Sequence, residues 1–178
     1  MRRRRRALAA NAPAAAQAAA AALPIDRLPP FDWFSSYHAL GSELDPAPLA
    51  ARLAEAGGRL ALPVTVAAEA PLVFRAWSPD EAPAMDAFGV PSPPASAPQV
   101  RPALVICPLL AFDRTGARLG QGGGHYDRTI AALRAQRPVF VLGLAYAGQE
   151  VEQLPAEPHD QRLDAILTES GYIEVRKD

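Results

Sequence analysis

"ALVICPLLAFDRTGARLGQGGGHYDRTIAALRAQRPVFVLGLAY", residues 103–146, carries the plainest succession of elements in the chain. It opens on an apolar run, 103–112, of the kind buried on both faces of a parallel sheet. A loop follows with four of the chain's 12 glycines inside five positions, Gly120 to Gly124. "HYDRTIAALRAQ" (125–136) reads as a helix, with Tyr126, Ile130 and Leu133 spaced for one face. "VFVLGLAY" (139–146) is a second buried strand. Strand, helix and strand at this interval argue for an α/β fold with a mostly parallel sheet.

The flanking sequence extends the pattern. "DPAPLAARLAEAGG" (45–58) reads as a helix: Asp45 is placed to cap it, Pro46 suits its first turn, Leu49 and Leu53 make an i, i+4 stripe, and Gly57 and Gly58 end it. "RLALPV" (59–64) and "LVFRAW" (72–77) read as strands, and "DAILTES" and "YIEV" close the chain. The proline-rich stretch 78–100 is an irregular connection and a candidate binding loop. At the start, "MRRRRRAL" reads as a basic helix, followed by an alanine-rich one with Asn11 and Pro13 near its first turn.

Composition sets the bounds. The 178 residues are 49% hydrophobic and 21% charged, within the range of a single globular domain. The single cysteine, Cys107, excludes an internal disulfide framework and suits a reducing, cytoplasmic setting. Net charge is −1, but unevenly spread. Apart from Arg2 to Arg6, the other 13 basic residues face 19 acidic ones, leaving the body at −6. An acidic body is a poor platform for nucleic acid, and no apolar run is long enough to span a membrane.

The glycine loop lies where an α/β sheet binds ligands, past the carboxyl ends of the strands. Bare backbone N–H groups at a helix start favour an anion, so phosphate binding is the physical expectation. The competing reading is a hairpin turn, which needs fewer glycines. Two familiar phosphate motifs fail. The dinucleotide pattern meets His125 or Asp127 at its last position, and the P-loop lysine is absent from "GHYD". Asp127 would repel a phosphate unless a cation intervenes, and Mg²⁺ uses one or two carboxylates for that purpose.

"LLAFDRTGARLGQGGGHYDR" resembles the signature of the 5-formyltetrahydrofolate cyclo-ligase family, also called methenyltetrahydrofolate synthetase. Pro108, Phe112, Asp113, Gly116, Arg118, Leu119, Gly120, the following three glycines, Tyr126, Asp127 and Arg128 match its pattern. The resemblance implies a single-domain, three-layer, Rossmann-like α/β fold over 1–178, with helices on both faces of the sheet. It implies ATP-dependent cyclisation of 5-formyltetrahydrofolate to 5,10-methenyltetrahydrofolate. Arg118, Leu119, Gly120, Gln121, Gly122, Gly123, Gly124, His125 and Tyr126 would bind ATP, with Arg118, His125 and Tyr126 catalytic. Folate would meet His38, Glu43, Phe88, Gln121, the three glycines and His125. Asp127 and Asp164 would hold Mg²⁺. By the same resemblance, no nucleic acid, membrane or obligate protein partner is expected.

The chain departs from the family pattern at three places. His125 stands for the usual Tyr or Phe, and Ser92 stands where Glu is common in "GVPSP". The arginine run matches the later part of the family's first helix, so the turns that reach ATP are expected upstream of residue 1. A non-catalytic nucleotide-binding protein of the same fold is the alternative function. Weaker readings are a basic-tailed nucleic-acid binder and a metalloenzyme built on His38, His125, His159 and Cys107, whose spacing suits no zinc site. No G-x-S-x-G elbow is present.

Overall fold

A computed structural model describes residues 1–78 and 80–175. The chain begins with α1 (Arg2–Asn11) and α2 (Ala15–Ala22), then enters β1 (Trp33–Ser35), α3 (Ala47–Glu55), β2 (Arg59–Val64) and β3 (Val73–Ala76). The proline-rich connection holds the short strands β4 (Ala84–Met85), β5 (Pro91–Ser92) and β6 (Gln99–Val100). Next come β7 (Leu104–Pro108), β8 (Ala111–Phe112), β9 (Arg118–Leu119) and α4 (His125–Arg134). The chain closes with β10 (Phe140–Leu144), β11 (Ala165–Thr168) and β12 (Gly171–Glu174).

Eight strands form one sheet in the order β12-β11-β10-β7-β1-β2-β3-β6. Its middle is parallel: β11 on β10, β10 on β7, β7 on β1 and β1 on β2. Antiparallel strands close both edges, β12 on one side and β3 with β6 on the other. Two apolar clusters divide along the alternation of these strands. Leu104, Ile106, Leu142, Leu144 and Leu167 pack beneath α2 and α3 with Ala19, Leu49 and Leu53. Val105, Cys107, Val141 and Ile166 pack against Ile130 and Leu133 of α4 and Phe112 of the β8–β9 hairpin. Three layers result, with helices on both faces. Cys107 is wholly enclosed, and burial pushes its thiol pKa up to about 11, which leaves it unreactive.

Two expectations change, and one strand is new. The run 103–112 is not one strand. β7 ends at Pro108, and Ala111–Phe112 pairs instead with Arg118–Leu119 in a separate hairpin. Asp113 makes that turn, accepting hydrogen bonds from the N–H groups of Thr115 and Ala117 and from the Thr115 hydroxyl. The glycine loop therefore leaves a hairpin, not a sheet strand. The central strand β1 carries no visible signal in the sequence, because three residues are too few for a periodic pattern. Pro46, not Asp45, is the residue before the first turn of α3, though the Asp45 carboxylate still accepts from the Ala47 N–H at 3.0 Å.

The chain adds β2 on one side of β1 and β7 on the other. The direction of winding thus reverses between β1 and β7. The loops past the carboxyl ends of those two strands bound the crevice where open α/β sheets take their ligands. Among the described residues, no helix is long and apolar enough to cross a membrane.

Candidate active site

The glycine loop lies at that crevice and opens α4. Gly124 precedes the helix in left-handed conformation (φ 62°), and its carbonyl accepts the first helical bond, from the Arg128 N–H. A side chain at Gly124 would also strike the Arg128 guanidinium at 2.7 Å. Gly122 too is left-handed, at φ 100°, and a Cβ there or at Gly120 would meet no protein atom within 4 Å. Those two positions form an open cradle of backbone, against which a phosphate can lie. Gly123 differs: its φ is not positive, and a Cβ there would press on the His125 ring at 3.0 Å.

Beneath the loop, both terminal nitrogens of Arg118 donate to Asp127 Oδ1, at 3.0 and 2.9 Å. The Arg118 side chain is only 4% exposed. The Gln161 N–H also reaches Oδ1. Oδ2 of Asp127 accepts no hydrogen bond from the described residues. One open carboxylate oxygen beside an anion cradle fits Mg²⁺, which takes few protein ligands and keeps several waters. Tyr126 follows the loop directly. Burial first, then the nearby Cys107 and Glu43, raise its phenol well above 10, so it stays protonated and can only donate or accept hydrogen bonds.

His125 Nδ1 lies 3.2 Å from the Ala70 carbonyl oxygen and 3.5 Å from an Arg128 terminal nitrogen. Arg128 donates to the carbonyls of Ala68 and Gly123, at 2.9 and 2.7 Å. These contacts strap the segment before β3 to the glycine loop. Phe88 is 55% exposed and meets the His125 ring edge-on, with centroids 6.3 Å apart.

The loop after β1 supplies Glu43. Its Oε2 accepts from the Leu40 N–H at 3.0 Å, and its Oε1 accepts from Gln121 Nε2 of the glycine loop at 3.4 Å. The two residues are 78 positions apart in sequence. His38 sits in the same loop, edge-on to Trp77, with a buried Nε2 that has no hydrogen-bond partner among the described residues. Burial lowers its pKa, which favours the neutral imidazole.

Asp164 stands apart from this group. It precedes β11, at the amino end of the parallel strands. Its Oδ2 accepts from Arg134 and from the Val141 N–H, both at 2.8 Å. Arg134 is seven residues along α4 from Asp127, roughly 10 Å of helical rise. The side-chain hydrogen bonds of Asp127 come from Arg118 and Gln161, and Arg134 and Val141 donate to Asp164. The two aspartates are linked through Gln161, whose N–H bonds Asp127 and whose Oε1 accepts from Arg134. Among the described residues, no group of three or more His, Cys, Asp or Glu side chains is arranged around a common point.

Sequence reasoning missed Arg5. Its side chain is 6% exposed and bonds Ser42, Glu43 and the Leu109 carbonyl. Five consecutive arginines hide which one is buried. The face shared with Leu8, Ala9 and Ala12, all packed on the first core cluster, is the signal that could have found it.

The site is thus a glycine cradle on a helix start, with a carboxylate beneath it and a second carboxylate across the switch point of an open α/β sheet. These features are those of an α/β protein with an anion-accepting loop at the switch point of its sheet. The sequence model of the 5-formyltetrahydrofolate cyclo-ligase family matches residues 1–169, and the chain belongs to that family. It is 35% identical over 155 residues to the 5-formyltetrahydrofolate cyclo-ligase of Mycolicibacterium smegmatis, covering 79% of this chain and 76% of the relative. It is 38% identical over 137 residues to the Escherichia coli K12 protein of the same name, covering 74% and 75%. The NMR structure of Aquifex aeolicus 5,10-methenyltetrahydrofolate synthetase superposes with a TM-score of 0.71 at 25% identity, covering 100% of this chain and 86% of that one.

Proposed function

We propose that this chain, as one catalytic domain in the cytoplasm, uses ATP to cyclise 5-formyltetrahydrofolate to 5,10-methenyltetrahydrofolate, releasing ADP and phosphate. Family membership supports the reaction. The observation that supports the assignment of residues is the hydrogen bond from Gln121 Nε2 to Glu43 Oε1, by which the proposed pterin acceptor meets the glycine loop.

In this reading, Gly120 to Gly124 receive the ATP phosphates on their N–H groups, and Arg118 neutralises charge from below. Leu119 flanks the nucleotide. Glu43 accepts hydrogen bonds from the pterin, while Phe88 and His38 border its rings. The γ-phosphoryl group passes to the formyl oxygen on N5, and ADP departs. The N10 lone pair then attacks the activated formyl carbon, N10 gives up its proton, and phosphate leaves with the former formyl oxygen. Phosphoryl transfer asks a protein mainly for positioning and charge neutralisation, which Arg118, His125 and the protonated Tyr126 would provide. Asp127 would hold Mg²⁺ through its open oxygen, while Asp164, bonded to Arg134 and the Val141 N–H at the far end of α4, would tie that helix to the sheet. The ion would offset the negative charge of the phosphates.

The test is an absorbance assay for methenyl product with 5-formyltetrahydrofolate and Mg-ATP. One ADP is expected per product formed. ATP binding without folate-dependent turnover would instead leave a non-catalytic nucleotide-binding protein of this fold.

A further inference from the structure

The arginine run contains one residue whose surroundings differ from the rest. Arg2, Arg3, Arg4 and Arg6 are exposed, whereas Arg5 is buried. Its Nε donates to Ser42 Oγ at 3.2 Å. Its Nη1 donates to Glu43 Oε1 at 3.3 Å and to the Leu109 carbonyl at 3.4 Å. Ser42 and Glu43 lie past β1, and Leu109 lies just past β7. Arg5 therefore spans the two strand ends between which the winding of the sheet reverses.

The Glu43 side chain is 5% exposed, so the pair is buried on both sides. Removing two charges from water costs more than their attraction commonly returns, so stability alone is a weak reason to keep such a pair. What the pair supplies is orientation. Leu40 holds Oε2 and Gln121 makes the longer contact to Oε1. Arg5 is the charged donor that fixes how the carboxylate is turned. Its planar fork also ties that carboxylate to the backbone that follows β7.

We infer that Arg5 is the positioning residue of the folate subsite: it sets the orientation of the Glu43 carboxylate and thereby governs folate affinity, separately from ATP affinity. The inference rests on the reading of Glu43 as the pterin acceptor.

Equilibrium binding of 5-formyltetrahydrofolate and of Mg-ATP, each by calorimetry on the full chain, tests it. Arg5→Met is expected to weaken folate binding about tenfold, in the range of one hydrogen bond to a charged group, and to leave ATP binding within about twofold. Arg5→Lys keeps the charge but not the fork, so it should fall between wild type and Arg5→Met. It decides the matter by the same selectivity if Arg5→Met does not fold. Combining Arg5→Met with Glu43→Gln should weaken folate binding no further than Glu43→Gln alone. Leu8→Ala is the control. Leu8 packs against Gly148 on the same helix face, so its loss loosens α1 without touching Glu43.

A purely structural Arg5 would give the Leu8→Ala pattern, a lower melting temperature with both ligands weakened alike, and that outcome overturns the inference. Multiplicative effects of Arg5→Met and Glu43→Gln overturn it as well. Weak folate binding in Glu43→Gln with normal binding in both Arg5 variants would remove Arg5 and leave the reading of Glu43 standing. Normal folate binding in Glu43→Gln would remove both.

Discussion

Helix α4 carries an arginine–aspartate pair at each end, and the two pairs differ in what they leave free. At its start, Arg118 and Asp127 are 4% and 19% exposed, and one carboxylate oxygen accepts no hydrogen bond from the described residues. At its end, Arg134 and Asp164 are 28% and 6% exposed, and Asp164 also receives the Val141 N–H of a central strand. The first pair sits at the carboxyl ends of the parallel strands, where loops diverge and ligands enter. The second sits at the amino ends, where it joins a helix to the sheet. We therefore expect the first pair to serve a site and the second packing, on the strength of their places at opposite ends of the parallel strands and of the Asp127 oxygen that accepts no hydrogen bond from the described residues.

The sharpest way to break this contrast is Asp127→Asn. The variant keeps the shape but weakens charge complementarity to Arg118 and to a cation. Turnover is expected to fall by about two orders of magnitude, the scale of losing one well-placed electrostatic contact in a transition state. The Mg²⁺ concentration for half-maximal rate should rise, and the melting temperature should fall as well, because Arg118 is left buried beside a neutral side chain. An unchanged Mg²⁺ dependence would take Asp127 out of the metal role.

Gly122→Val comes next. Its left-handed φ and open surroundings mean that Val both strains the loop and fills the cradle. Strain of about 1–3 kcal/mol in the binding-competent loop would weaken ATP binding about tenfold or more, with the fold intact. Gly123→Val should do less, because its backbone is unstrained and the neighbouring His125 ring can turn aside. Equal losses at the two positions would mean that simple bulk, not backbone conformation, matters in the loop.

Asp164→Asn should reverse the order of effects. Loss of its charged bond to Arg134 is expected to cost about 1–3 kcal/mol of stability, seen in thermal or urea unfolding. Turnover should fall by less than in Asp127→Asn. A larger loss of turnover than of stability would place Asp164 in direct contact with the ion and erase the contrast between the two ends of α4.

Much of this was legible in the sequence, for identifiable reasons. β2 and β10 announce themselves as apolar runs between breakers, and α4 by Ile130 and Leu133 at helical spacing. The glycine loop was readable because four glycines in five positions serve few purposes besides close backbone approach. Three features were not legible. β1 is too short to show a period, although it lies at the centre of the sheet. The break at Pro108 depends on the hairpin that Asp113 organises, and continuous hydrophobicity conceals it. The partners of Arg5 and Asp164 are set by contacts 38 and 30 residues away, respectively, which no local pattern encodes.

Asp113 extends the comparison to a third carboxylate and to the smallest effect. It lies near the ligand end of the molecule, but both of its oxygens accept hydrogen bonds. It accepts from the Thr115 hydroxyl and from the N–H groups of Thr115, Ala117 and Leu154. Burial alone would raise its pKa, but these hydrogen bonds outweigh burial and hold it below the usual 3.8. A depressed folded-state pKa contributes stability that is complete above the unfolded value, ~3.9, and is lost as pH falls through the folded value. Asp113→Asn should therefore be less stable than wild type at pH near 7. The difference between their melting temperatures should hold down to about pH 5 and shrink below about pH 4, as the wild-type carboxylate takes up its proton. Thermal melts of both proteins across that range would measure it. A difference that stays constant to the lowest pH would show that the hairpin depends on the shape of the side chain and not on its charge. Having both oxygens occupied would then no longer suffice to separate Asp113 from Asp127.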